Sequence, residues 1–275
     1  MSLPDLIEIM PLAQGPLEVN VTMPGSKSIT NRALILAALA EGEVELTGAL
    51  WSEDTQIMVD ALRALGFRID VNPDAAEASN RIIAVQGLGG RIPNTGTAEA
   101  PLEIFVGNAG TAARFLAAMV CLGDGSVRLH GVDRMHERPQ KELFRALRRL
   151  GYHIDSPNDQ LPAVFHGGGP CEASCTVSLN ESSQFATALL QVAPRGKWYV
   201  DLAGANLDEA PYVRMTQEMM AAFPHGGGRF VIEPDASSGS FFWGINLFRE
   251  TVEVSNWPMT GWQIDAQFTR FLSIP

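Results

Sequence analysis

Pro24-Gly25-Ser26-Lys27-Ser28-Ile29-Thr30-Asn31-Arg32 runs on into Ala33-Leu34-Ile35-Leu36-Ala37-Ala38-Leu39-Ala40-Glu41-Gly42. This spacing predicts a tight turn and then a helix about four turns long that stops at Gly42, glycine being a common residue just past a helix end. Ser26, Ser28 and Thr30 crowd the helix start, where hydroxyls satisfy backbone N–H groups that lack a partner within the helix. Lys27 and Arg32 sit at or just inside the same start. A helix N-terminus already carries roughly half a positive charge, so each cation there is disfavoured by about 0.3–1 kcal/mol. The arrangement makes sense if an anion binds between these groups. The plainer reading is a capped surface helix that happens to be basic.

Either side of this helix, short strands and further helices follow a regular order. Leu6-Ile7-Glu8-Ile9-Met10 and the alternating Leu17-Glu18-Val19-Asn20-Val21 predict two strands ahead of it. After it come a strand over 43–48, a helix from Asp54 to Leu65, a strand over 67–70 and another over 81–85. The order then recurs. Gly107-Asn108-Ala109-Gly110-Thr111-Ala112-Ala113-Arg114 opens a helix ending near Gly123, followed by a strand over 127–131 and a helix from Lys141 to Leu150. Leu150-Gly151-Tyr152-His153-Ile154-Asp155 echoes Leu65-Gly66-Phe67-Arg68-Ile69-Asp70. A third copy starts at Glu181-Ser182-Ser183-Gln184-Phe185, with a helix to Val192, a strand over 198–202 and a helix from Arg214 to Phe223. A period of roughly 80 residues marks a repeated supersecondary unit of helix, strand, helix, strand, strand rather than a solenoid of short repeats.

The first helix of each unit is too apolar to be solvated all round. Ala112 to Cys121 is interrupted by a single charge, Arg114, and a helix apolar on every face is a buried one. Three buried helices with strands between them predict an inside-out α/β barrel, helices within and sheets without. Pseudo-threefold symmetry then makes the helices a parallel bundle whose N-termini point at one ligand.

The second helix start repeats the logic of the first. Gly110 clears space for close approach to the backbone, Thr111 offers a hydroxyl, and Arg114 is another cation in a first turn. Ser182, Ser183 and Gln184 give the third start two hydroxyls and an amide. Each alone is an ordinary cap; their recurrence at equivalent positions favours a shared site. Arg138 precedes Pro139, which biases it toward extended backbone on a loop free to reach the helix starts and fork a carboxylate or phosphate. Tyr212, after Pro211, fits either the same rim or the core. His136 reads as a solvated histidine, and Arg145, Arg148 and Arg149 as a solvated helix face.

Composition narrows the field. A chain of 275 residues with 46% hydrophobic and 19% charged residues is that of a globular protein with ample core. A net charge of −11 argues against nucleic acid as a partner. No apolar run reaches membrane-spanning length and no secretion signal is evident, so a cytoplasmic location is expected. Cys121, Cys171 and Cys175 read as free thiols, with no arrangement that completes a zinc site; no metal and no cofactor are expected. His166 to Gly169 and His225 to Gly228 look like esterase oxyanion loops, but the chain has no Gly-x-Ser-x-Gly elbow and both read as loops.

PGSKSITNR at 24–32, GNAGTAARF at 107–115, RMHERP at 134–139 and ESSQF at 181–185, with EPDASS at 233–238 and WQID at 262–265 more loosely, resemble the 5-enolpyruvylshikimate-3-phosphate synthases. The resemblance runs from about residue 5 to the end. The sister UDP-N-acetylglucosamine enolpyruvyl transferases share the fold without this form of the first motif. The resemblance implies transfer of the enolpyruvyl group of phosphoenolpyruvate to the 5-hydroxyl of shikimate 3-phosphate, with phosphate leaving through a tetrahedral intermediate. By motif position it implies that Lys27, Ser28, Arg32, Ser182, Ser183, Gln184 and Tyr212 hold shikimate 3-phosphate. Lys27, Asn108, Gly110, Thr111, Arg138 and Gln184 would face phosphoenolpyruvate, and Lys27 is the candidate for proton transfer. Glyphosate would compete on the Gly110 side.

Two departures from the family pattern stand out. Glu209 occupies a position where the family usually has a phosphate-binding serine, and a carboxylate there repels the ligand unless it turns away. The family also builds two domains of three units each. This chain supplies one, about 24–232; residues 1–23 and 233–275 correspond to an incomplete second. The aspartate and glutamate that do acid–base work lie beyond Pro275 in the family, so the isolated chain is expected to bind substrate and turn over negligibly. The alternative is a non-catalytic anion-binding protein on the same fold. Phe241, Phe242, Trp243, Trp257 and Trp262 of the incomplete domain would leave an apolar patch that invites self-association.

Overall fold

The computed structural model describes residues 6–8, 10, 19–204, 210–249 and 252–273. Of the two strands expected first, residues 6–8 and 10 form none, and Leu6, Ile7 and Met10 are exposed. The second forms as β1 (Val19–Val21); residues 17 and 18 lie outside the described residues.

The first unit comprises α1 (Lys27–Leu39), β2 (Glu43–Leu50), α2 (Glu53–Ala64), β3 (Ile69–Pro73) and β4 (Asn80–Gln86). The second opens with β5 (Leu102–Phe105), then α3 (Gly110–Met119), which tightens into a 3-10 turn at Val120–Leu122 before Gly123. It continues through β6 (Ser126–His130), a one-turn helix α4 (Asp133–His136), α5 (Lys141–Arg149), β7 (His153–Asp155) and β8 (Ala163–His166). The third has β9 (Ala173–Ser178), α6 (Ser183–Gly196), β10 (Trp198–Ala203), α7 (Ala210–Ala222) and β11 (Gly228–Val231). Last come α8 (Ala236–Arg249), β12 (Val252–Val254), parallel to β1, and a 3-10 stretch Ile264–Ser273.

The helices α1, α3 and α6 touch one another pairwise and fill the centre of the molecule. Every residue from Ile29 to Leu39 is buried, and in α3 every residue from Ala112 to Met119. The amphipathic α2, α5 and α7 lie outside them, burying stripes such as Met58, Val59 and Leu62 or Leu143, Phe144 and Leu147. Two four-stranded sheets have the same plan: β11-β2-β4-β3 and β5-β6-β8-β7, each a parallel pair followed by an antiparallel hairpin. The α/β inside-out arrangement thus stands.

The third unit departs from the expected repeat. Among the described residues its sheet has only β9 and β10, in parallel. In the first two units the outer helix is followed by a hairpin, whereas α7 passes through residues 224–227 straight into β11, which joins the first unit's sheet beside β2. The strand β10 therefore ends its sheet, with Tyr199 and Leu202 exposed. The echo Leu-Gly-x-x-Ile-Asp, present after α2 and α5, is missing after Phe223.

Helix ends differ from expectation in one instructive place. The first helix stops at Leu39 rather than at Gly42, with Ala40 as its extended cap. Gly42 instead lies where a Cβ would meet Gly226 O at 2.6 Å. The expected tight turn before α1 is likewise absent: Gly25 forms a bridge with Pro234.

The main core cluster spans Ile29 to Ile232, and the buried Met23, Ala236, Val252 and Val254 fall outside it. Among the expected patch residues only Phe241 is strongly exposed. Trp262 stacks on Phe230 at 6.0 Å, and Trp243 meets Trp257 edge to face at 6.0 Å. The three cysteines are free. Burial pushes the thiols of Cys121 and Cys175 up, the latter to about 11, so both are protonated at neutral pH. No helix among the described residues is long and apolar enough to cross a membrane.

Candidate active site

The starts of α1, α3 and α6 open into one cavity of about 540 Å³. The first start contributes Lys27, Ser28 and Arg32, the second Asn108, Gly110 and Thr111, and the third Ser182, Ser183 and Gln184. Arg138 and Tyr212 complete the wall from the loop after α4 and from the first turn of α7. All eleven sequence-nominated residues thus face one space; the twelfth lining residue, Asp54, was not among them.

Each helix start owes its form to local chemistry. Ser26 caps α1, its hydroxyl accepting from Ile29 N–H, while Asp235 accepts the N–H of Lys27 at 3.1 Å. The other oxygen of Asp235 accepts from Ser238 N–H at 2.8 Å in the first turn of α8. One carboxylate thus serves two positive helix ends. Ser182 caps α6 by accepting from Gln184 N–H at 3.2 Å. By contrast α3 has no side-chain cap, and none of α1, α3 and α6 has an acidic residue in its first turn. Their N-terminal potential is left unneutralised from within.

Cations accumulate on that potential. Arg32 is 3% exposed. It donates to Thr216 Oγ1 at 2.9 Å and to Ser28 O at 3.0 Å, and its guanidinium lies over the Phe115 ring at 5.5 Å. Burial lowers its pKa to about 10, partly offset by Tyr212. Arg114, singled out in the sequence, lies behind the cavity. It donates to Gln184 Oε1 and to Pro139 O and sits over the Phe185 ring at 5.0 Å. Burial first, and then the charge of Arg138, lower its pKa to about 10. Among the described residues no carboxylate lies within ion-pair distance of Arg32, Arg114 or Arg138; each is held by oxygens of neutral groups. Lys27 is the exception, its Nζ lying 3.3 Å from Asp54 Oδ2. Moving an ion out of water costs several kcal/mol unless an opposite charge compensates. Guanidinium groups without carboxylates, gathered at positive helix ends, are an arrangement that suits an anionic ligand.

Gly110 has a specific steric role. A Cβ there would lie 2.5 Å from Arg138 Nη1 and 2.6 Å from its Cζ. The glycine lets the guanidinium, which also donates to Asn108 O at 3.0 Å, lie flat against the start of α3.

Sequence reading missed three supporting residues. Asp54 sits in the first turn of α2, where an acid is ordinary and carries no functional signal. Thr216 holds Arg32 while donating to Tyr212 O at 2.9 Å; its only signal was the four-residue spacing from Tyr212. Asp235 was quoted within a loosely matching motif without a role. Glu209, the position expected to repel phosphate, lies outside the described residues.

Comparison with known proteins gives a consistent answer. Residues 12–273 match the family model described as EPSP synthase (3-phosphoshikimate 1-carboxyvinyltransferase). A 3-phosphoshikimate 1-carboxyvinyltransferase of Opitutus terrae is 40% identical over 273 residues, covering 90% of this chain and 60% of the relative. One from Rhizobium etli is 39% identical over 255 residues, covering 86% and 58%. The chain therefore spans about three-fifths of the length of these curated relatives. The EPSP synthase of Acinetobacter baumannii superposes with a TM-score of 0.66 at 22% identity, covering 85% of this chain and 54% of the other, a likeness of fold.

Proposed function

The chain belongs to the EPSP synthase (3-phosphoshikimate 1-carboxyvinyltransferase) family, and from that premise we propose that its cavity binds shikimate 3-phosphate and phosphoenolpyruvate for enolpyruvyl transfer. The observation that carries this reading is the convergence of three helix starts and three cations, Lys27, Arg32 and Arg138, on one cavity. Both substrates are multiply anionic, which suits helix starts that carry no acidic residue in their own first turns.

The roles follow from placement. Ser28, Arg32, Ser182, Ser183 and Tyr212 hold shikimate 3-phosphate, its phosphate meeting hydroxyls and helix amides near the buried Arg32. Lys27, Asn108, Gly110, Thr111 and Arg138 hold phosphoenolpyruvate at the start of α3. Gln184, fixed by Arg114, lies between the two. In the reaction the 5-hydroxyl gives up its proton as its oxygen bonds to C2 of phosphoenolpyruvate, while C3 gains a proton. The C2–O bond to phosphate then breaks as C3 loses one. Lys27 is the candidate to move a proton, Asp54 holding its ammonium in place.

Domain organisation is read the same way: a complete shikimate-phosphate-binding domain over 24–232, with 1–23 and 233–275 belonging to a second. The buried members of the main core cluster all fall within Ile29–Ile232, with Trp262 packed against it from outside, which supports this division. Among the described residues of the cavity wall Asp54 is the sole carboxylate, and it is engaged by Lys27. That observation favours binding without efficient turnover by the 275-residue chain. Calorimetric titration with shikimate 3-phosphate, followed by phosphoenolpyruvate, is expected to give one site for each, with no sustained phosphate release. Absence of shikimate 3-phosphate binding would overturn the assignment of the site; steady turnover would overturn the restriction to binding.

Gly110→Ala is expected to weaken phosphoenolpyruvate binding by roughly tenfold or more, since displacing a charged hydrogen-bonding group costs about 1.5–3 kcal/mol. The added methyl displaces the end of a flexible side chain, Arg138, rather than backbone. Shikimate 3-phosphate affinity and thermal stability should stay near the parent values. Equal loss of both ligands in the titration would show that the two subsites are not separated as described.

A further inference from the structure

We infer that the outer face of the β7–β8 hairpin is a binding site for a divalent transition ion of the zinc class, built from His153, Asp155 and His166. This site stands apart from the cavity and does not depend on the function proposed for it.

Sheet geometry puts the three side chains together. His153 pairs directly with His166 across the antiparallel β7–β8 ladder, so both imidazoles leave the same face. Asp155 is two residues along the same strand and shares that face. The imidazole rings lie 5.0 Å apart at 34°. His153 Nε2 reaches one oxygen of Asp155 at 2.8 Å and His166 Nε2 reaches the other at 2.7 Å. One ligand atom from each residue falls within 4.8 Å of the others. Ligands around a tetrahedral zinc, each at 2.0–2.2 Å, stand about 3.3 Å apart, so small ring rotations close the site.

The surroundings support a ligand role. Ser126 on β6 is the ladder partner of His166 on its other side, and its hydroxyl lies 2.9 Å from His166 Nδ1. A hydroxyl both donates and accepts, so it can take the Nδ1–H when Nε2 turns its lone pair to a metal. That is the outer contact which fixes ring orientation at metal-binding histidines. Two imidazoles and one carboxylate suit zinc, nickel or copper, whereas magnesium and calcium need more oxygens. Water would fill the remaining positions on this exposed face.

Zinc titration of the full chain, monitored by calorimetry and by thermal unfolding, tests the inference against His153→Ala, Asp155→Asn and magnesium as the control ion. The expected result is one zinc per chain, a rise in the unfolding midpoint with zinc but not magnesium, and affinity at least about tenfold weaker in each variant. No saturable zinc uptake, or uptake unchanged in both variants, would overturn it and leave the three residues as a hydrogen-bonded surface cluster. The variants change exposed positions, so their folding without zinc serves as the internal check.

Discussion

Arg32→Met is expected to remove measurable binding of shikimate 3-phosphate while leaving the unliganded protein at least as stable as the parent. The two effects share one cause. Arg32 is buried among Phe115, Thr216 and backbone oxygen, with no carboxylate in reach among the described residues. Its pKa of about 10, well below the ordinary arginine value, means that folding disfavours the charged guanidinium. The sign is that of a depressed cation. The penalty is present in full at every pH below about 10, and it fades as the pH rises from there toward the ordinary arginine value. Methionine keeps much of the side-chain volume and carries no charge, so the penalty disappears with the substitution. A bound phosphate dianion works the opposite way, compensating the guanidinium and raising its pKa. Losing a buried, charge-assisted contact of this kind costs about 2–5 kcal/mol in binding, from roughly thirtyfold to several thousandfold in affinity. Thermal unfolding with and without ligand reads both effects. The parent should gain stability with ligand, and the variant should start as high and gain nothing. A variant that unfolds early without ligand would show that Arg32 is a structural cation instead.

Gly25→Ala is expected to be the most damaging single methyl in the chain. A Cβ at this position would lie 1.8 Å from the carbonyl oxygen of Gly48 and 3.2 Å from Ile232 Cγ2. The first obstacle is backbone, so no side-chain rotation relieves it. The residue is pinned from elsewhere as well, its N–H donating to Asn80 Oδ1 at 2.9 Å. The next residues are tied to the returning chain: Ser26 N–H donates to Glu233 O at 2.8 Å and Asp235 N–H to Pro24 O at 2.9 Å. Making room for the methyl pulls this crossing apart and with it the start of α1. Overpacking against side chains costs about 1–3 kcal/mol. A backbone collision at a pinned crossing is expected to cost roughly 3 kcal/mol or more. Denaturant unfolding should show the loss as a lower midpoint with an unchanged slope. An unchanged midpoint would mean that the Gly25–Gly48 approach is looser than described.

Much of this was legible in the sequence because the decisive signals are local. Hydroxyls and cations at helix starts identify themselves wherever they fall, since the helix end is disfavoured for cations whatever surrounds it. The helix-start residues among the eleven stood out for that reason, as did Arg138 before a proline; the full set, Asn108 included, came from what the family resemblance implies by motif position. The buried helices were equally plain, since Ile29–Leu39 and Ala112–Met119 offer no polar face.

What escaped was set by distant partners. Strands β5, β8 and β9, four to six residues long, lie in stretches that read as connections in the sequence. The role of Gly25 depends on Gly48, and that of Asp235 on α1 lying beside the returning chain. Asp54 and Thr216 look like ordinary helix residues until their neighbours are known. The missing hairpin of the third unit was visible only as the absence of an echo after Phe223, while the repeat itself encouraged the expectation that it was there.

The central claim is that three separate helix starts form one anion site. Backbone amide NMR during titration with shikimate 3-phosphate tests it most directly. The account predicts that the amides of Lys27 and Ser28, of Gly110 and Thr111, and of Ser183 and Gln184 shift together, with a single dissociation constant. A response confined to one helix start, or three responses with different midpoints, would contradict it.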